Sequence, residues 1–411
     1  MTTRTHHHLA PLALALALVG CGGPEEPAPP PAAEDLLAPP PEGQGVQFRM
    51  TTEIGPGVEA EHCRFVKAPP GGIHVNRDQV RYTVGSHHVL LYETRYDEIP
   101  TAKEDGTPVD TSGVFDCSDG ATNGWAITKL VGGSQNADGG SVVSFPPGVA
   151  MYVRPGAVLM INAHYINASP EPLRPEVAIN LYTIPEAEVE QEGDILFLYN
   201  FFIKVGAQSA GRAHMRCPAQ RDITIVNVQS HMHARGVGYE ASIAGGAPFY
   251  TNDRWEGVPI KSFEGGLQVK AGEVLDYHCD YRNAEERDVF QGPHSTDEMC
   301  MLLGSYYPAD PATSYCSADP ERPLETASLG AEWVGTGAAS CAASMSCVQR
   351  ALSAGADAFS PGKEAFKDLV TCVVDSDPAV SKELSSFVRC AMLSEDSERA
   401  CSAEISACAT R

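Results

Sequence analysis

From Val46 to Glu325 the chain is built of short apolar and β-branched runs, broken at close intervals by Gly, Pro and Asp. QVRYTV, HHVLLYE and AVLMINAHYI alternate with turn signals such as FPPG and RPG; ILFLYNFFI, DITIVNVQS, YEASIAG and EVLDYHCDY continue the pattern. Such runs read as strands, and many short strands with frequent turns point to β-sandwiches. Roughly 280 residues of this texture are too many for one sandwich. The expected class is therefore mainly β, with two tandem antiparallel, jelly-roll-like sandwiches over 46–190 and 191–325. The acidic stretch EAEVEQEG, between Pro185 and Gly193, marks the boundary.

After Leu329 the texture changes. Ala, Ser, Glu and Lys dominate, and apolar residues fall at helical spacing in CVQRALSAGADAF and FKDLVTCVV. Ser360 as N-cap and Pro361 at the first helical position predict a helix start before GKEAFKDLV. Cys341, Cys347, Cys372, Cys390, Cys401 and Cys408 all lie here. We expect a small helical module over 330–411 held by three disulfides, with roughly fifteen connectivities open to six cysteines.

The N-terminus, MTTRTHHHLAPLALALALVGCGG, places Arg4 before an apolar run from Leu9 to Val19. That run is too short to span a membrane and reads as a secretion signal over 1–21. Leu18-Val19-Gly20-Cys21 resembles a bacterial lipobox, which implies lipidation at Cys21. The stretch 22–45 carries eight prolines and five acids up to Gln44, the composition of an extended tether. The expected protein is exported, monomeric and held at the cell envelope or surface by its lipid, with the outer membrane as the expected address. A formal charge of −24 argues against nucleic acid or anionic lipid as partners. Thirteen cysteines less Cys21 leave an even twelve, a disulfide framework in an oxidising compartment.

In a strand, alternate residues share a face. TIVNVQSHMH thus sets Asn227, Gln229, His231 and His233 on one side, an H-x-H chelating pair with polar neighbours. VLMINAHY sets Met160, Asn162 and His164 together. His87 and His88 are adjacent, so a regular strand would separate them; a bulge or strand end would let both reach one metal. Met299 lies in DEMCMLL, with Met301 and Leu303 on its strand face. Imidazole with thioether sulfur selects copper over zinc or calcium. His62, His74, His214, His278 and His294 read as surface or core residues.

The order HH, HY, H-x-H, DEMC resembles the copper type II, ascorbate-dependent monooxygenases, the family of peptidylglycine α-hydroxylating monooxygenase and dopamine β-monooxygenase. The resemblance covers roughly Val46 to Glu325 and leaves out the tether and the helical tail. It implies two sandwiches with one copper each, separated by a solvent-filled cleft. His87, His88 and His164 would hold an electron-transfer copper; His231, His233 and Met299 would hold the copper that meets O2 and substrate, and so be the catalytic residues. It implies disulfides Cys63–Cys117, Cys217–Cys316 and Cys279–Cys300, leaving the six tail cysteines to pair among themselves. Ascorbate, or another reductant, would supply electrons.

The carboxylate clamp of the peptidylglycine enzyme is absent: Gln229, Met301 and Leu303 stand at its positions. Gln229 and Tyr306-Tyr307-Pro308 look more like the dopamine enzyme, and Met301 and Leu303 suggest an apolar wall. The family's Gln two residues before the HY histidine is Asn162 here. The expected activity is hydroxylation of an activated C–H in a small hydrophobic or aromatic molecule. A copper-sequestering lipoprotein without turnover uses the same six ligands, and the helical tail would serve as a docking module in a third reading.

Overall fold

Strands Ala210–Pro218 and Val274–Arg282 alternate buried and half-buried residues along most of their length, as strands do with one face in a core and the other partly open. Val158–Ile166, Ile223–Met232 and Cys300–Tyr307 behave differently: nearly every residue is buried. Both faces of these three strands are covered, and they carry or adjoin the candidate ligands. The computed structural model describes residues 36–409 except 121–122, 137–140, 360–361 and 395–396. The signal segment, Cys21, the tether up to Asp35 and the predicted cap Ser360-Pro361 lie outside the described residues.

The protein is mainly β. One pair of five-stranded sheets is drawn from Gly45–Glu192. The first runs in the order Gly45–Thr51, Glu176–Thr183, Ile73–Tyr82, Val149–Val153, Gln191–Glu192; the second runs Val114–Asp116, Glu59–Lys67, Val158–Ile166, Ser86–Thr94, Ile127–Ser134. Residues from both, such as Val80 and Ile179 against Leu91 and Ile161, form one hydrophobic core. A second pair is drawn from Asp194–Trp333. Its four-stranded sheet runs Asp194–Tyr199, Cys300–Tyr307, Ile223–Met232, Lys261–Val269. Its five-stranded sheet runs Pro248–Asn252, Gly236–Ile243, Val274–Arg282, Ala210–Pro218, Glu332–Trp333. Pairing is antiparallel apart from the two-residue contact of Gln191–Glu192 with Val149–Ala150.

Two expectations change. Of the tether, residues 36–44 are docked: Gln47 Nε2 and Arg49 Nη2 donate to Leu37 O at 2.9 and 2.8 Å, and Asn180 Nδ2 donates to Ala38 O at 2.8 Å. The helical region shares its core with the second sheet pair. Helices Cys341–Leu352, Glu364–Val374 and Ser381–Leu393 bury Val348, Leu369, Phe387 and Val388 in the same cluster as Met215, Tyr277 and Trp333. Trp333 joins the two parts. Its strand pairs with Met215, its ring packs 4.3 Å from Phe202, and its backbone N–H donates to Ser385 Oγ at 2.9 Å. The helix expected from Pro361 begins at Glu364. Gly362, at φ +87°, lies in the left-handed region and cannot extend it.

Six disulfides cross-link the described residues. Cys63–Cys117, Cys217–Cys316 and Cys279–Cys300 are the pairs the family resemblance implied. Cys341–Cys408, Cys347–Cys372 and Cys390–Cys401 choose one connectivity for the tail.

Residues 36–411 form one compact unit, and a polar seam joins its two sheet pairs. Ser305 Oγ donates to Val142 O at 2.7 Å and accepts from Ser144 N at 3.0 Å. Asn136 binds Val258 twice, donating to its O at 2.7 Å and accepting from its N at 3.0 Å. The seam reaches the strand that carries His231 through Asn227, whose Nδ2 donates to Ser305 Oγ at 3.2 Å.

Candidate metal centre

A bulge assembles the first trio. Ser86 pairs with Tyr165 and His88 with His164, so two steps on one strand match one on the other. The shift breaks strict alternation and brings both adjacent histidines to the same side. Their rings lie 5.6 Å apart, and 5.5 and 5.0 Å from His164. One potential ligand atom from each residue lies within 4.8 Å of the others.

Hydrogen bonds select the ligand nitrogens. His164 Nε2 sits 2.9 Å from Glu59 Oε1. That bond is the main reason the Glu59 carboxyl is held down to about 2, with further help from Ser295. An ionised carboxylate only accepts, so Nε2 carries the proton and Nδ1 keeps its lone pair. His164 Nδ1 and His88 Nδ1 are both buried with no hydrogen-bond partner. Buried polar atoms normally have one, and a metal ion would satisfy both.

The second group stands on Ile223–Met232 and the turn beyond it. His231 and His233 rings are 5.3 Å apart. His233 Nδ1 donates to Asp297 O at 3.2 Å, and its Nε2 is buried without a partner. Met299 immediately precedes the paired strand, in which Cys300 faces Met232 and Met301 faces His231. This register brings the Met299 backbone beside His233, and Tyr281 OH holds the Met299 carbonyl at 2.8 Å. The Cys279–Cys300 bridge pins the next residue.

The two groups are not separated by an open cleft. The His88 and His231 rings are 5.6 Å apart, so the five imidazoles form one continuous cluster. The seam described above closes the halves on each other, and three further contacts cross it at the cluster. Glu59 accepts from Ser295 N and Oγ, both at 2.7 Å. Gln135 Oε1 lies 3.0 Å from His231 Nδ1. The Trp255 ring lies 5.3 Å from that of His87. Burial, reinforced by neighbouring imidazoles, pushes His88 and His231 well below the usual histidine range; it takes His87 to about 4 and His233 to about 3. These four histidines are thus neutral imidazoles, the form that ligates metal.

The substrate-side candidates share the ligand face. Gln229 pairs with Leu303 and His231 with Met301, and all four side chains are buried. The apolar wall exists, but it faces the other half of the protein. Asn162 is engaged elsewhere, donating to Glu61 Oε2 at 3.0 Å. Glu59, Gln135 and Trp255 escaped the sequence reading. For Glu59 a signal was present: in EAEHC, alternation puts it on the same strand face as Glu61, which sits opposite His164. Gln135 and Trp255 sit in loops with no periodicity.

A mainly β scaffold cross-linked by six disulfides thus carries a largely buried cluster of five imidazoles, a donor set that suits metal ligation. Residues 207–326 match the model of the copper type II ascorbate-dependent monooxygenase, C-terminal domain, the family to which the motif order pointed. The matched span holds His231, His233 and Met299, and it relates the chain to copper-dependent oxidoreductases. No curated protein matches the chain. Among solved structures, the major capsid protein P2 of bacteriophage PM2 aligns at 11% identity over 63% of this chain and 98% of its own, with a TM-score of 0.25. T=1 particles derived from infectious bursal virus align at 11% identity over 66% of this chain and 70% of theirs, with a TM-score of 0.13. Scores of this size carry no argument.

Proposed function

We propose that the protein is a copper monooxygenase, binding two coppers and hydroxylating an activated C–H of a small hydrophobic or aromatic molecule with O2 and a reductant such as ascorbate. The observation behind this reading is the set of buried, unpartnered nitrogens, His88 Nδ1, His164 Nδ1 and His233 Nε2, in a chain whose residues 207–326 match a copper monooxygenase domain. His87, His88 and His164 would hold one copper; His231, His233 and Met299 would hold the other. When bound, copper supplies one-electron redox chemistry and activation of O2.

The protein's own groups do the rest. Glu59 fixes the His164 tautomer and raises its basicity, as carboxylate partners of ligating histidines do. The Met299 thioether, a soft ligand, favours Cu(I), the state that must meet O2. The buried Met301 and Leu303 side chains offer an apolar surface and exclude water. We further propose that Cys21 carries a lipid and that the protein works as a monomer on the outside of the cell.

A second reading, copper sequestration without turnover, draws support from the closure. Gln229, His231, Met301 and Leu303 are at most 6% exposed, so a substrate reaches them only if the halves part. O2 uptake by copper-loaded protein with ascorbate and a panel of aromatic amines and hydrophobic amides separates the two readings. Substrate-dependent uptake with one hydroxyl added per O2 supports the enzyme. Two coppers per chain with no such uptake supports sequestration.

A further inference from the structure

We infer that Gln135, carried by the first sheet pair, is a positioning residue for the copper site of the second: it dictates which nitrogen of His231 is free to ligate. The inference rests on the proposed copper sites and adds a dependence of one on the other half of the chain.

The geometry leaves little freedom. The Gln135 amide touches three groups: its Nε2 lies 2.7 Å from Ser230 O and 2.8 Å from Gln229 Oε1, and its Oε1 lies 3.0 Å from His231 Nδ1. Ser230 O is a backbone carbonyl and only accepts, so the amide NH2 must face it. The amide oxygen then faces His231, and an amide oxygen also only accepts. His231 Nδ1 must therefore carry the proton, and the lone pair lies on Nε2. His233 ends in the same state, because Asp297 O takes its Nδ1–H. Both members of the H-x-H pair present Nε2, but one is set from within its own half and the other from across the seam. Without Gln135, neutral His231 would be free to place its proton on Nε2, where it blocks ligation; fixing the tautomer from the second nitrogen is the usual task of such partners.

Gln135 is well held for this purpose. Its neighbour Asn136 forms the two-point contact with Val258, and Ser134 Oγ donates to Asn136 O at 2.8 Å. The amide is thus flanked by a residue fixed across the seam and by a bond that closes its own loop.

The test is competitive Cu(I) binding to the full-length protein, with Cu–S scattering in X-ray absorption marking the copper at Met299. Gln135→Leu should weaken the sulfur-marked copper by roughly 10–100-fold, the range for loss of an outer-shell partner, with first-trio affinity unchanged. Retention of that first copper also shows that the variant is folded. Gln135→Glu, as the neutral acid, keeps an acceptor for Nδ1–H and a hydroxyl donor for Ser230 O, and should lose less than the roughly 10-fold lower bound expected for Gln135→Leu, with Gln229 turning its amide to suit. Unchanged sulfur-marked affinity in Gln135→Leu overturns the inference. So does equal loss in both variants, or loss of both coppers in either. A wild-type protein with no sulfur-marked copper overturns the two-site reading itself, a result distinct from the others.

Discussion

The two histidine groups are built by different means. His87, His88 and His164 come from two adjacent strands of one sheet, converge through one bulge, and find their orienting carboxylate, Glu59, on the next strand of that sheet. His231, His233 and Met299 come from two strands of another sheet, but His231 takes its orienting group from the opposite half. The first group is complete within its own sheet; the second is complete only when the halves meet. A site of the first kind keeps its metal through domain motion, whereas a site of the second kind has an affinity that motion can change. The variants below attack that division from both sides.

The largest expected effect is at Met299. Met299→Ile removes the soft ligand and should abolish hydroxylation while the first trio keeps its copper; metal analysis showing both coppers lost would sink the two-site assignment. His164→Ala comes next. It should weaken the first copper by more than the roughly 10–100-fold of an outer-shell change and leave Cu–S scattering at the second site intact. Glu59→Ala tests the limits of self-containment, because Glu59 also holds Ser295, four residues before Met299. Weakening of roughly 10–100-fold at the first copper is expected, with a smaller loss at the second; an effect confined to the second site would reverse the comparison.

Acid should act on both groups. His87 titrates near 4 and His233 near 3 in the folded protein, below the unfolded value near 6.5. The unfolded chain thus binds more protons between these limits, and the stabilisation present above about 6.5 is lost as pH falls. At pH 5 the shift at His87 alone costs the metal-free protein about 2 kcal/mol. Buried Asp78 and Glu298, each raised to about 7 by burial, gain stability over the same fall in pH, so the readout is a comparison of variants. Denaturant titrations at pH 7 and pH 5 should show His87→Ala losing less stability on acidification than the wild-type protein; an identical loss in both would contradict a neutral His87.

Much of this was legible residue by residue, for definite reasons. Strand parity is a local property, so Gln229 could be grouped with His231 and His233, and Met301 and Leu303 with Met299, from spacing alone. The adjacency of His87 and His88 forced a bulge or a strand end, and a bulge is present. Cysteine parity separated the tail's three bridges from the rest. Other features depend on contacts distant in sequence. Nothing in SQN marks Gln135 as a partner of His231, 96 residues away. Covering both faces of Ile223–Met232 requires the other sheet pair, so a cleft was expected where a closed seam is found. Trp333 read as the start of a separate module because short edge strands carry too little periodicity to be recognised.

That small strand has a consequence for the life of the folded chain. Glu332 and Trp333 pair with Arg216 and Met215, occupying part of the edge of Ala210–Pro218. An exposed strand edge is a template for pairing with other chains. Cutting the chain after Glu325, where the sandwich pattern ends, would bare that edge together with the apolar surface now under Phe387 and Val388. The helical tail therefore shields the second sheet pair from self-association, and a protein shortened at that point is expected to aggregate.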